Sequence, residues 1–181
     1  MGGFLLTPLE LLHQRLTEAS ALLALAQGPE QLAQAISQQA GATLVLEDHR
    51  WLRAAISHFP DDPAQEIYFI SDPSQGTPET IDTAVTIGLG AVPETGSVLL
   101  SGRSPQALRM SLYPCRHIVV IPADRAALTM AQALTLTALE NSGLVTWVTG
   151  PSRTADIEKV LVLGAQGASE LTVIVYQEEQ F

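Results

Sequence analysis

The run Ile118-Val119-Val120-Ile121 constrains this chain more than any other feature. Four consecutive β-branched apolar residues leave no face for water, so they fit a strand buried on both sides. Strands of that kind belong to parallel sheets covered by helices. Further short runs of strand composition are Thr43–Leu46, Ile67–Ile70, Ala84–Thr86, Ser97–Leu100, Val145–Thr149 and Leu171–Tyr176.

Helical patterns lie between them. Thr7-Pro8-Leu9-Glu10 offers a Thr N-cap, Pro at the first helical position and Glu at the third, a capping box. Leu12, Leu16, Ala19, Leu23 and Ala26 then fall on one helical face, which predicts a helix running to a stop at Gly28-Pro29. A second helix is expected from about Glu30 to Gln39, so that the segment 7–40 reads as helical throughout. Others are expected over Trp51–His58, over Leu128–Glu140 ahead of Gly143, and from Thr154 to about Leu161. Strands alternating with helices predict a three-layer α/β fold with a mostly parallel sheet flanked by helices. The strands starting near Ala84, Ser97, His117, Val145 and Leu171 should share that sheet. No repeat, low-complexity tract or linker interrupts the 181 residues, so residues 1–181 are expected to form one domain. Ser71–Pro78 is turn chemistry, either a long surface connection or a lid.

Hydrophobic residues make up 46% and charged ones 15%, the balance of a folded globular chain. The net charge is −10, and the nine basic residues, all arginine except Lys159, form no patch. Neither nucleic acid nor an anionic membrane surface is an expected partner. The start, Met-Gly-Gly-Phe-Leu-Leu-Thr-Pro, has no basic region typical of a signal peptide. No apolar segment approaches the ~18 residues that span a bilayer, and the expected location is cytoplasmic. The one cysteine, Cys115, excludes an internal disulfide and cannot alone hold zinc or an iron–sulfur cluster. His13, His49 and His58 lack metal-ligand spacing, so no metal site is expected.

Two segments carry candidate chemistry. In the first, an apolar strand from Val145 runs into Gly150-Pro151-Ser152-Arg153 and directly into the expected helix. A helix N-terminus there, with Ser152 or Thr154 as cap and Arg153 as a bidentate fork, would suit a carboxylate or phosphate. Equally, Ser152 serves as a plain cap while Arg153 pairs with Asp156 or another acid. In the second, Gly88-Leu89-Gly90 leads through Pro93 to Glu94-Thr95-Gly96-Ser97, ahead of a strand. A carboxylate on such a turn is a general base or nucleophile if partly buried, and a solvated turn residue otherwise. Folding of the glycine segment over the sheet edge would bring Glu94 and Ser152 to one concave surface. Gly164-Ala165-Gln166-Gly167 reads as a turn, and His117 as a histidine bonded to backbone.

Three stretches resemble the LUD-domain, LutC/YkgG-type lactate-utilisation family: Ala91–Leu100 with Val85-Thr86, Ser111–Val120, and Thr149–Glu158 with Leu163–Gly167 behind it. The resemblance covers about Val85 to Val175. It implies a fold like that of the glucosamine-6-phosphate deaminase, ribose-5-phosphate isomerase and CoA-transferase group (NagB/RpiA-like). It also implies a part in oxidising L-lactate to pyruvate beside iron–sulfur partner proteins, which would carry the clusters, with no cofactor bound by this chain alone. Leu89 stands where the family tends to carry Asp, and Gln166 where it usually has His. Two other functions stay open: a self-standing isomerase or CoA-transferase acting on a small phosphate or carboxylate, and a non-catalytic anion-binding module.

Overall fold

The all-apolar run at 118–121 lies inside a sheet, buried on both faces as its composition demands. The structure, a computed structural model, describes residues 6–62, 64–70, 78, 80–102, 109–139, 144–155, 161–163 and 167–179, with backbone alone at 153–155 and 161–163. Its helices are α1 (Pro8–Glu18), α2 (Gly28–Ser37), α3 (Arg50–Ala55) and α4 (Met130–Leu139). Its strands are β1 (Leu22–Gln27), β2 (Thr43–Leu46), β3 (Glu66–Phe69), β4 (Thr83–Val92), β5 (Ser97–Ser101), β6 (Arg116–Pro122), β7 (Val145–Val148), β8 (Arg153–Ala155), β9 (Leu161–Leu163) and β10 (Glu170–Gln177). The turn-rich stretch 71–77 lies outside the described residues.

Six strands run parallel in the order β1-β10-β6-β4-β2-β3, and the antiparallel pair β5 and β7 joins through β4. The five strands expected to share one mostly parallel sheet do so. β4 makes this possible by serving two partners in turn. Its first half pairs with β2 and β6, and its second half, past a bulge between Gly88 and Gly90, pairs with β5. Gly88-Leu89-Gly90 is itself strand, bulged where β4 passes from one pairing to the other, and the tight turn begins only at Pro93.

Each face of the parallel strands has its own cover. Leu44, Val85, Ile118, Val120 and Ile174 cluster with Leu32 and Ile36 of α2 and Leu52 of α3. On the opposite face Val119, Ile121, Leu171 and Val173 cluster with Leu12 and Leu16 of α1 and with Val98 and Leu100 of β5. That second cover, half helix and half antiparallel strand, opens a space between β7 and the amino ends of β6 and β10. Among the described residues no helix is long and apolar enough to cross a membrane.

Two expected helices are corrected. The first stops at Glu18 instead of Gly28, after the predicted capping box at Thr7 and Glu10. Ser20 adopts φ 62°, and the Ala21 and Ser20 N–H groups donate to the Leu16 and Thr17 carbonyls at 2.8 and 2.9 Å. That is a Schellman ending built on serine where glycine is usual. Leu22–Gln27, helical by composition, becomes a strand because all six residues pair with β10. Gly28-Pro29, read as a stop, opens α2 instead. The second correction falls on Thr154–Leu161. Arg153, Thr154 and Ala155 pair antiparallel with Leu163, Val162 and Leu161, so both ends of that segment are strand. Thr154 and Val162, opposite in register, are both β-branched residue types, which favour strand over helix.

Candidate functional site

Three segments far apart in the chain meet where β6 and β10 begin. They are the loop after β7, the turn before β6, and the residues leading into β10. The Ser152 N–H donates to the Ala168 carbonyl at 2.8 Å. The Ser169 and Glu170 N–H groups donate to the Cys115 carbonyl at 3.0 and 3.1 Å, joined by the Ser169 hydroxyl at 3.0 Å. Together the segments enclose a cavity of about 550 Å³ whose wall includes Ser111, His117, Thr149, Ser152 and Gly167. That volume is in the range of small-molecule sites.

Gly150 fixes the loop. It has φ 81°, and a Cβ there would stand 2.8 Å from the Ala19 Cβ and 2.9 Å from the Ala19 carbonyl oxygen. Only glycine combines that conformation with so close an approach to the end of α1. Gly96 rests on the same helix, where a Cβ would lie 2.7 Å from that of Arg15. α1 thus seats both predicted turns side by side. Between them runs a chain of hydroxyls: Thr95 donates to Ser97 Oγ at 2.8 Å, and Ser97 Oγ lies 2.6 Å from Thr149 Oγ1 on the cavity wall.

His117 is buried at the cavity's inner end, with Nε2 2.8 Å from the Thr86 hydroxyl. Burial pushes its pKa down to about 4, so the imidazole is neutral at pH 7. Its partner is a side-chain hydroxyl on the neighbouring strand, where a backbone group was expected. The pairing follows from β4–β6 register, in which Ala84 faces His117 and Thr86 faces Val119, a relation no local pattern exposes. Ser111 carries no local signal of its place either, because nothing in Ser111-Leu112-Tyr113-Pro114 distinguishes a cavity wall from a turn.

Among the expected site residues, Gly150 and Ser152 line the cavity. Thr95, Gly96 and Ser97 stand behind its Thr149 wall. Glu94 is exposed on the hairpin turn and is not part of the cavity wall, so the structure does not bring it to the surface that Ser152 lines. The helix-terminus argument for an anion is corrected with the helix itself: residues 153–155 are strand, and the Ser152 N–H is committed to Ala168. Only the backbone of Arg153 and Thr154 is described, and Gln166 lies outside the described residues. No charged side chain lines the cavity among the described residues.

The fold places the chain in a known structural class first. It superposes on a DUF162 family protein from Deinococcus radiodurans with a TM-score of 0.67, over 96% of this chain and 100% of that one, at 22% identity. The model of the LUD domain matches residues 77–176, more than half of the chain, and the protein belongs to the LUD-domain family. Its relatives include proteins named lactate utilization protein C. That of Deinococcus radiodurans is 31% identical over 69% of this chain and 57% of its own length. That of Geobacillus kaustophilus is 30% identical, over 75% and 62% respectively. The Bacillus subtilis protein is 26% identical, over 70% and 68%. The chain thus spans about three fifths of the first two.

Proposed function

We propose that this protein serves lactate utilisation as an accessory or substrate-handling subunit, and that its cavity holds the small hydroxy or oxo acid. One observation carries the reading: every described residue of the cavity wall, from Ser111 to Leu171, falls inside the matched family domain. The names of the relatives supply the acid. The hydroxyls of Ser111, Thr149 and Ser152 offer hydrogen bonds to a carboxylate, and this reading assigns the balancing charge to Arg153, next in the chain to Ser152. Neutral His117, its Nε2 engaged by the Thr86 hydroxyl, serves the inner end as a polar wall and not as a base, since burial penalises its charged form. Arg153→Ala should weaken L-lactate or pyruvate by about 1.5–3 kcal/mol in a calorimetric titration, the range of a hydrogen bond to a charged group. An unchanged affinity removes Arg153 from the site.

Oxidising a hydroxy acid to an oxo acid releases two electrons and two protons, and the electrons need an acceptor. Cys115 alone cannot ligate a cluster, so the acceptors in this reading are iron–sulfur proteins that assemble with the chain in the cytoplasm. Co-purification from the native host, with iron analysis and a lactate oxidation assay, tests it. The assembly should contain iron and oxidise lactate, and the isolated chain should do neither. Stoichiometric iron or robust dye-linked oxidation by the isolated chain would overturn the accessory role. A self-standing transferase or isomerase using Glu94 is the weaker reading, since that carboxylate is exposed away from the cavity.

A further inference from the structure

At the opposite end of the parallel strands lies a second crevice, of about 540 Å³. Glu47 just past β2, Ile87 at the end of the parallel half of β4, Pro122 at the end of β6 and Glu178 just past β10 all line it. The carboxyl ends of parallel strands are where open α/β sheets ordinarily bind ligands. Nothing in the reading of the first cavity uses this place.

The crevice carries charged groups of both signs, with Asp124 and Arg125 exposed at its mouth. Glu178 is paired with Arg50 at 2.7 Å on the rim. Glu47, Asp124 and Arg125 have no ion pair among the described residues. Glu47 is held in place by the Ile87 N–H, which donates to Oε2 at 2.8 Å, and burial raises its pKa against that bond. Ser101 Oγ and Trp51 Nε1, both belonging to residues of the crevice wall, are buried without a hydrogen-bond partner. The Trp51 ring is fixed between His49 and Tyr176, which leaves the Ser101 hydroxyl as the group a ligand can satisfy.

These groups choose among ligand classes. A simple anion satisfies Arg125 and Ser101 but leaves Glu47 and Asp124 facing it unmatched. A simple cation reverses the fault. A dianion such as phosphate meets three carboxylates against two guanidiniums, one of them already engaged. A zwitterion answers both halves, and Ile87 and Leu89 add apolar wall beside them. We infer that the crevice at the carboxyl ends of β2, β4, β6 and β10 binds a free amino acid with an apolar side chain. Its carboxylate lies toward Arg125 and Ser101, and its ammonium toward Glu47 and Asp124.

The test is calorimetric titration of the full chain with L-valine, L-leucine, L-methionine and L-phenylalanine. For the best binder, the analogues lacking either the amino or the carboxyl group are titrated beside it. At least one amino acid should bind saturably, and each single-charge analogue should bind about tenfold or more weakly. Glu47→Gln and Ser101→Ala should each reduce that affinity, and Ser152→Ala should leave it unchanged. Circular dichroism reports folding, and if Glu47→Gln does not fold, Ser101→Ala decides alone. The inference is overturned if none of the amino acids binds, if a single-charge analogue binds equally well, or if affinity survives the crevice substitutions. L-lactate affinity tracks Ser152 and not Glu47 in the proposed function, so the two proposals fail separately.

Discussion

His117 couples the cavity to the stability of the whole chain. Unfolded, its imidazole takes a proton near pH 6.5, and folded, only near pH 4, because burial penalises the charged form. Between those values the unfolded chain holds the extra proton, so stability falls as pH drops through that window and levels off below it. Above pH 6.5 both states are neutral and the group contributes no slope. The full span corresponds to about 3 kcal/mol at most. His117→Asn keeps a polar partner for Thr86 but cannot titrate. Urea unfolding of both proteins at several pH values across the window should show the acid limb shallower in the variant. Equal slopes would mean the imidazole is not held neutral.

Among the elements, the sequence was most informative where composition leaves one option. Ile118–Ile121 could only be an interior strand, and the Thr7 capping box marked its helix start to the residue. It was least informative where a pairing partner far along the chain decides the outcome. Leu22–Gln27 has helical composition, yet it pairs residue for residue with Thr172–Gln177. The signal that α1 ends lies in Ser20, a residue that rarely occupies the left-handed region and so gives no warning. That position makes a prediction: Ser20→Gly should raise stability by about 0.5–1 kcal/mol, since glycine adopts the observed φ of 62° without the side-chain penalty. Thermal unfolding reads the change, and a lower melting temperature would contradict the strained ending. The site was legible in part for the same reason. Gly150 and Ser152 stood out through loop chemistry, whereas Ser111 and His117 reach the cavity only through sheet register and turn packing.

The whole molecule is organised by β4, which runs first in the parallel sheet and then, beyond the bulge at Gly88 and Gly90, in the antiparallel layer folded over one face. That fold-over leaves an opening at the amino ends of β6 and β10, and α1 seats the two glycine turns beside it. The carboxyl ends of the same strands form the other crevice, so the sheet carries a candidate site at each end. They differ in kind: hydroxyl-rich and uncharged at one end among the described residues, mixed in charge at the other. A crystal structure of the chain grown with saturating L-lactate distinguishes them most directly. Lactate should lie between Ser111, His117 and Ser152, with its carboxylate toward Arg153. Ordered lactate at any other place, with that cavity holding only water, would contradict the assignment of the family domain's cavity as the acid-binding site.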